Sequence, residues 1–132
     1  ATGVVIPERR SAEVTPAVCK ASAGAVEHMR ITRVRNIADF LLEANRAGCW
    51  SYGASAPAAS TVSYVVPDYS GGVVLVLGSE GSGLRPRVAG ACDQLVALPM
   101  RGRMESLGVA AAAAALLYGI LHSREKGLDK AP

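Results

Sequence analysis

Apolar and polar positions change rhythm several times along the chain, and each rhythm predicts an element. Residues 4–7 (VVIP) form a short β-branched run stopped by proline, the pattern of a buried strand. Thr15 and Pro16 supply an N-cap followed by proline at the first helical position, and the small residues of AVCKASAGAVEHM predict a helix after them. ITRVRN alternates and predicts a second strand. IADFLLEANRAG, residues 37–48, carries apolar side chains at 37, 40, 41 and 44, the spacing of a helix, and Gly48 closes it. CWSYGASA predicts a third strand, and the Ala/Ser/Pro-rich residues 54–60 a loop. The most evident buried strand is VVLVL at 73–77. Beyond it come a short helix (RPRVAGACD), a strand at 94–100 (QLVALPM), a basic loop (RGRMES) and a long helix from residue 107 to about 126. Strand and helix in repeated alternation imply an α/β fold: a mostly parallel sheet with helices on both faces.

Composition narrows this picture. The 132 residues suffice for one domain with a real core. Half of them are hydrophobic, yet there is one Trp and one Phe, so the core is built from Val, Leu, Ile and Ala, which favours close helix–sheet packing. The net charge of +3 permits a polyanionic partner without demanding one. Cys19, Cys49 and Cys92 are odd in number, widely spaced and without a CxxC pair, which argues against a disulfide framework and a zinc site and for thiols in a reducing cytoplasm. His28 and His122 stand alone, without metal-ligand spacing, and no metal is expected. No charged-then-apolar leader opens the chain, and its most apolar stretch, residues 108–121, is too short and too alanine-rich for a bilayer span. A soluble, cytoplasmic protein is the expectation.

In such sheets, ligands sit at the carboxyl ends of the strands. Three loops there carry unusual residues: ASA after the third strand, GSEGSG after VVLVL and RGRMESLG after LVALP. The glycines at 78, 81 and 83 fit neither GxGxxG nor a P-loop, and Glu80 would repel a phosphate. The residues alone leave two readings of this loop. Either its backbone is freed to approach a ligand that is not strongly anionic, or the glycines serve a tight strand-to-helix turn with Glu80 capping the next helix.

VLVLGSEGSGLRPRVAGACDQLVALPM, followed by ESLGVAAAAAALLYGIL, closely resembles the two carboxyl-terminal motifs of the SpoU (TrmH-like) RNA 2′-O-ribose methyltransferases of the SPOUT superfamily. VVIPERRSAEVTPAVCKASAGAVEH is similar to the subgroup that methylates a guanosine in large-subunit ribosomal RNA, so the resemblance covers nearly the whole chain from Gly3. It implies a single methyltransferase domain over residues 1–132 and a trefoil knot in its carboxyl-terminal part. It also implies S-adenosylmethionine, held largely by backbone groups. Carried over by motif, Gly78 lies in the glycine-bearing cofactor loop, Leu98 beside the adenine and Leu107 in the third motif, with Met100 in the same set; Glu80 and Ser106 are the catalytic candidates. RNA is the implied partner, with Arg9, Arg10, Arg101 and Arg103 as candidate phosphate anchors, and the family dimerises through helices near the knot, here the alanine-rich terminal helix.

Two departures bear on turnover. The family's first motif, N-x-G-x-x-x-R, supplies an arginine implicated in activating the ribose hydroxyl, and no such string occurs in these residues. Read against the family pattern, the domain lacks the strand–helix that carries it. Gly108 stands where the family usually has Asn in S-L-N-V. A competing expectation is therefore a catalytically impaired or truncated family member that binds cofactor or RNA without turnover. A nucleotide-binding oxidoreductase is disfavoured because the dinucleotide fingerprint is absent.

Overall fold

A computed structural model describes residues 2–8, 29–79, 82–99 and 108–129. The chain divides into two compact units, Ala1–Phe40 and Leu41–Pro132. In the first, β1 (Gly3–Pro7) and β2 (Arg30–Val34) form a parallel pair with Val4 opposite Ile31 and Ile6 opposite Arg33. The Glu8 amide extends the ladder by donating to the Val34 carbonyl at 2.8 Å. α1 (Ile37–Arg46) opens on an N-cap, for Asn36 Oδ1 accepts the Asp39 amide at 3.1 Å. The division between the units falls inside this helix.

In the second unit α1 stops where expected. Gly48 takes a φ of +92°, left-handed backbone that glycine adopts without strain, and its amide donates to the Asn45 carbonyl. Next come β3 (Cys49–Ala54), β4 (Val62–Ser63), β5 (Gly72–Val76), α2 (Pro86–Ala91), β6 (Gln94–Ala97) and α3 (Val109–Asp129). The sheet runs β4-β6-β3-β5 and every pairing is parallel. The residues thus form the mixed α/β arrangement that the strand–helix alternation predicts.

Alternation along β3 explains what lies on each face. Tyr52 belongs to the core with Val96, Tyr69 and the α3 residues Leu116 and Ile120, and Ala54, Val73 and Leu75 pack against it. The Tyr52 and Tyr69 rings meet edge to face at 4.8 Å, the Tyr69 hydroxyl donates to the Tyr64 carbonyl, and burial pushes the Tyr69 phenol up to about 12. α3 is pinned to this region twice. Gly119 lies so close to Tyr64 that a Cβ there would stand 2.8 Å from the ring, and Arg124 donates to the carbonyls of Tyr69 and Gly71. Gly53 belongs to the opposite face, where a Cβ would meet Cys92 Sγ, Leu84 Cδ1 and Leu95 Cδ2, each at 2.8 Å. The segment 84–92 therefore covers the face that α3 does not.

At the amino end of β6, Asp93 binds the elements together. Its Oδ2 accepts the Ser51 amide at 2.8 Å and the Ser51 hydroxyl at 3.1 Å, while Oδ1 accepts from Asn45 at 2.9 Å. Ser51 is only 1% exposed, so these bonds satisfy buried donors that would otherwise carry a desolvation cost. In return, Ser51 Oγ accepts the Asp93 amide.

The structure adjusts three expectations. β6 ends at Ala97 rather than near 100, α3 continues to Asp129, and the two-residue β4 on β6 has no counterpart in the sequence reading. Two residues are too few to show a period. The helix expected after Thr15, the basic loop at 101–106 and the residues 100–107 that would thread a knot lie outside the described residues.

Candidate functional site

β5 and β6 flank β3, and their register brings their carboxyl ends to one edge. Gly53 is opposite both Val76 and Leu95, and Ala54 is opposite Val96. With about 4.8 Å between neighbouring strands, the loops that leave β5 and β6 emerge about 10 Å apart, with the end of β3 between them. The Ser55 amide donates to the Val96 carbonyl and the Tyr64 amide to the Ala97 carbonyl, both at 3.0 Å, which fixes the end of β6 from either side.

The loop after β5 is a tight reversal. Ser79 and Gly83 form an antiparallel bridge in which the Gly83 amide donates to the Ser79 carbonyl at 3.0 Å, and the hydroxyls of Ser79 and Ser82 lie 2.7 Å apart. Gly83 takes a φ of +66°, which suits glycine. Gly78 faces the returning limb, so a Cβ there would lie 2.5 Å from the Leu84 nitrogen and nearer still to the Gly83 carbonyl. The close approach that Gly78 permits is thus the loop's approach to itself. Leu84 follows at once and seats over Gly53, anchoring the loop to the sheet. α2 then begins at Pro86 with Arg85 as its N-cap in extended backbone.

On the other side of β3, Leu98 is partly buried and packs on the core cluster, and Pro99 next to it is exposed. Gly78 and Leu98 therefore flank one strand at one edge. Gly108 is the N-cap of α3, its carbonyl accepting the Ala112 amide at 2.9 Å. At an N-cap, glycine falls only a few tenths of a kcal/mol short of asparagine, so Gly108 weakens the start of α3 only slightly. Glu80, Met100, Ser106 and Leu107, with Arg9, Arg10, Arg101 and Arg103, lie outside the described residues. Cys92 lies against Gly53, and its thiol donates to the Val88 carbonyl at 3.3 Å. Burial first, then the Asp93 carboxylate, pushes it up to about 11, so it stays protonated at neutral pH and acts as a packing group.

Sequence reasoning passed over Gly53 and Leu84, the pair that seats the loop. The available signal was a glycine inside an apolar strand, which marks a close approach of another segment.

The profile of the SpoU rRNA Methylase family matches residues 1–118. A TrmH-family tRNA/rRNA methyltransferase homologue from Bacillus subtilis, YacO, is 40% identical over 124 residues, which is 94% of this chain and 49% of that protein. The chain spans about half the length of the curated relatives it matches. Among solved structures, the SpoU methyltransferase AviRb of Streptomyces viridochromogenes, in complex with AdoMet, superimposes with a TM-score of 0.82 at 26% identity, covering 94% of this chain and 50% of that one. A structure described as an RNA 2′-O ribose methyltransferase gives 0.78 at 25% identity, covering 94% and 46%. Among the described residues, no helix is long and apolar enough to cross a membrane.

Proposed function

The chain belongs to the SpoU rRNA Methylase family, and from that premise we propose that residues 1–132 act as the methyltransferase domain of an S-adenosylmethionine-dependent RNA 2′-O-ribose methyltransferase, with a ribosomal RNA guanosine as substrate and the cytoplasm as its place of work. One observation carries the reading: the two motif loops leave the sheet at the same edge, on either side of β3. The gap of about 10 Å between them suits a flat, neutral adenosine bound by main-chain donors and acceptors. No phosphate cradle is needed, since the cofactor carries a sulfonium; when bound, it supplies an electrophilic methyl group.

In this reading Gly78 gives the cofactor loop its shape, and Leu98 and Met100 line the adenine side. Leu107 closes the pocket from the third motif, within the knotted segment. Glu80 supports the loop and Ser106 lies at the reaction end, where alignment of the ribose hydroxyl with the methyl carbon supplies most of the rate. The arginines of the loops hold RNA phosphates. Methyl transfer from labelled cofactor to ribosomal RNA, followed by nucleoside digestion, tests the proposal. Label recovered in a 2′-O-methylated nucleoside is expected; label confined to a base would overturn it.

We also propose a homodimer through α3. Leu117, Tyr118 and Leu121 are 44%, 73% and 50% exposed and share the outward face of the helix with Ala110 and Ala114, an apolar stripe of the kind that a second copy covers. Sedimentation equilibrium at tens of micromolar should find a dimer, and Tyr118→Arg, at a position that the fold leaves exposed, should shift it to monomer. A monomeric parent chain would contradict the interface.

A further inference from the structure

At the opposite, amino-terminal edge of the same sheet lies an open cavity of about 390 Å³ that the methyl-transfer reading does not use. The start of β3 forms its wall, with Trp50 and Tyr52, and Gly48 leaves the space beside it clear; Gly72 also lines it, and Asp68 and Gln94 provide its polar groups. Trp50 is the only tryptophan in the chain, and it is 50% exposed within a central strand, where a large aromatic would ordinarily be covered. Asp68 is held in place from both sides. Its Oδ1 accepts the Ser70 amide at 3.1 Å, and its carbonyl accepts the Tyr52 hydroxyl at 3.2 Å. A half-exposed indole and a carboxylate anchored through Oδ1 thus share one depression, with Trp50 about 13 Å along β3 from Ala54 at the edge that carries Gly78 and Leu98.

We propose that this cavity receives an unpaired guanine of the RNA, a nucleotide distinct from the one methylated; the inference rests on the RNA reading above. The chemistry selects the base. Single-stranded RNA is recognised by stacking bases on aromatic side chains and by hydrogen bonds to their Watson–Crick edges. A carboxylate only accepts hydrogen bonds, and its two oxygens match a pair of adjacent N–H donors. Guanine presents such a pair, N1–H and the N2 amino group. On the corresponding edges of adenine, cytosine and uracil, a donor sits beside an acceptor that the carboxylate repels. The Gln94 amide can donate to the neighbouring guanine carbonyl. The site therefore reads one base at a distance from the reacting ribose and helps to set the register of the RNA.

The single tryptophan makes the test direct. Its fluorescence is titrated with GMP, AMP, CMP and UMP, and S-adenosylmethionine binding is measured by calorimetry on the same samples. Saturable quenching by GMP is expected, at least about fivefold tighter than by the other three, because a well-formed bidentate pair discriminates bases by about 5- to 150-fold. Asp68→Asn should remove that preference and leave cofactor binding intact, and excess S-adenosylmethionine should not move the GMP curve. Linear quenching, equal affinity for all four nucleotides, displacement of GMP by the cofactor, or a curve that Asp68→Asn does not change would each overturn the proposal. So would saturable binding of tetramethylammonium with no response to nucleotides, which would mark a cation site. Intact cofactor binding without a selective GMP response defeats this inference alone. Absent cofactor binding defeats the methyltransferase reading, and selective GMP binding supports the cavity in either case.

Discussion

Gly78→Ala is expected to weaken S-adenosylmethionine binding by about 100-fold or more while the sheet remains folded. The added Cβ would sit 2.5 Å from the Leu84 nitrogen and closer to the Gly83 carbonyl, so backbone rather than a movable side chain must give way. Overpacking at this severity costs about 3 kcal/mol, which is about 100-fold in affinity. The strain falls on the loop because Val76 is held in the β3 ladder and Leu84 is seated over Gly53. Gly90→Ala is the control: a Cβ on that α2 glycine meets nothing within 4 Å, and alanine is the better helix former. Calorimetry on the three proteins, with circular dichroism to confirm folding, decides the point. Unchanged affinity in Gly78→Ala would mean that the cofactor does not depend on this loop.

The second large effect concerns turnover. Adding an N-x-G-x-x-x-R segment ahead of Gly3 should raise methyl transfer by about 10² to 10⁴, the usual worth of a group positioned to assist proton removal. Gly108→Asn should add far less, since Gly108 is an N-cap where asparagine improves on glycine by only a few tenths of a kcal/mol. The four combinations of extension and substitution, assayed with labelled cofactor, separate the terms. If the 132 residues alone match the extended chain, the arginine's task falls to a group within them, and Arg9 and Arg10 become the first residues to replace.

The elements that the sequence made legible are those with a full period or a stereochemical marker. α1 declared itself by four apolar positions and Gly48, and β5 by an unbroken apolar run. β4 was too short to show a pattern, and its place on β6 depends on a tertiary pairing that begins with Val62 opposite Val96. The candidate site was legible as motif and only partly as geometry. The glycine at 78 was open to two readings, room for a ligand or a tight turn, and the structure shows the turn, with the space taken by the loop's own return at Gly83 and Leu84. Contacts between distant positions are harder to read: Gly53 inside its strand signals the close approach that Leu84 makes without naming the partner, and nothing in the order of residues marks Asp93 on Ser51, because such contacts arise only when the strands are side by side.

Whether the edge between β5 and β6 holds a cofactor is measured most directly by isothermal titration of the folded chain with S-adenosylmethionine and with its demethylated product. One saturable site per chain, with a dissociation constant below about 1 mM and lost in Gly78→Ala, is the predicted result. No heat with either compound at millimolar concentration would contradict it.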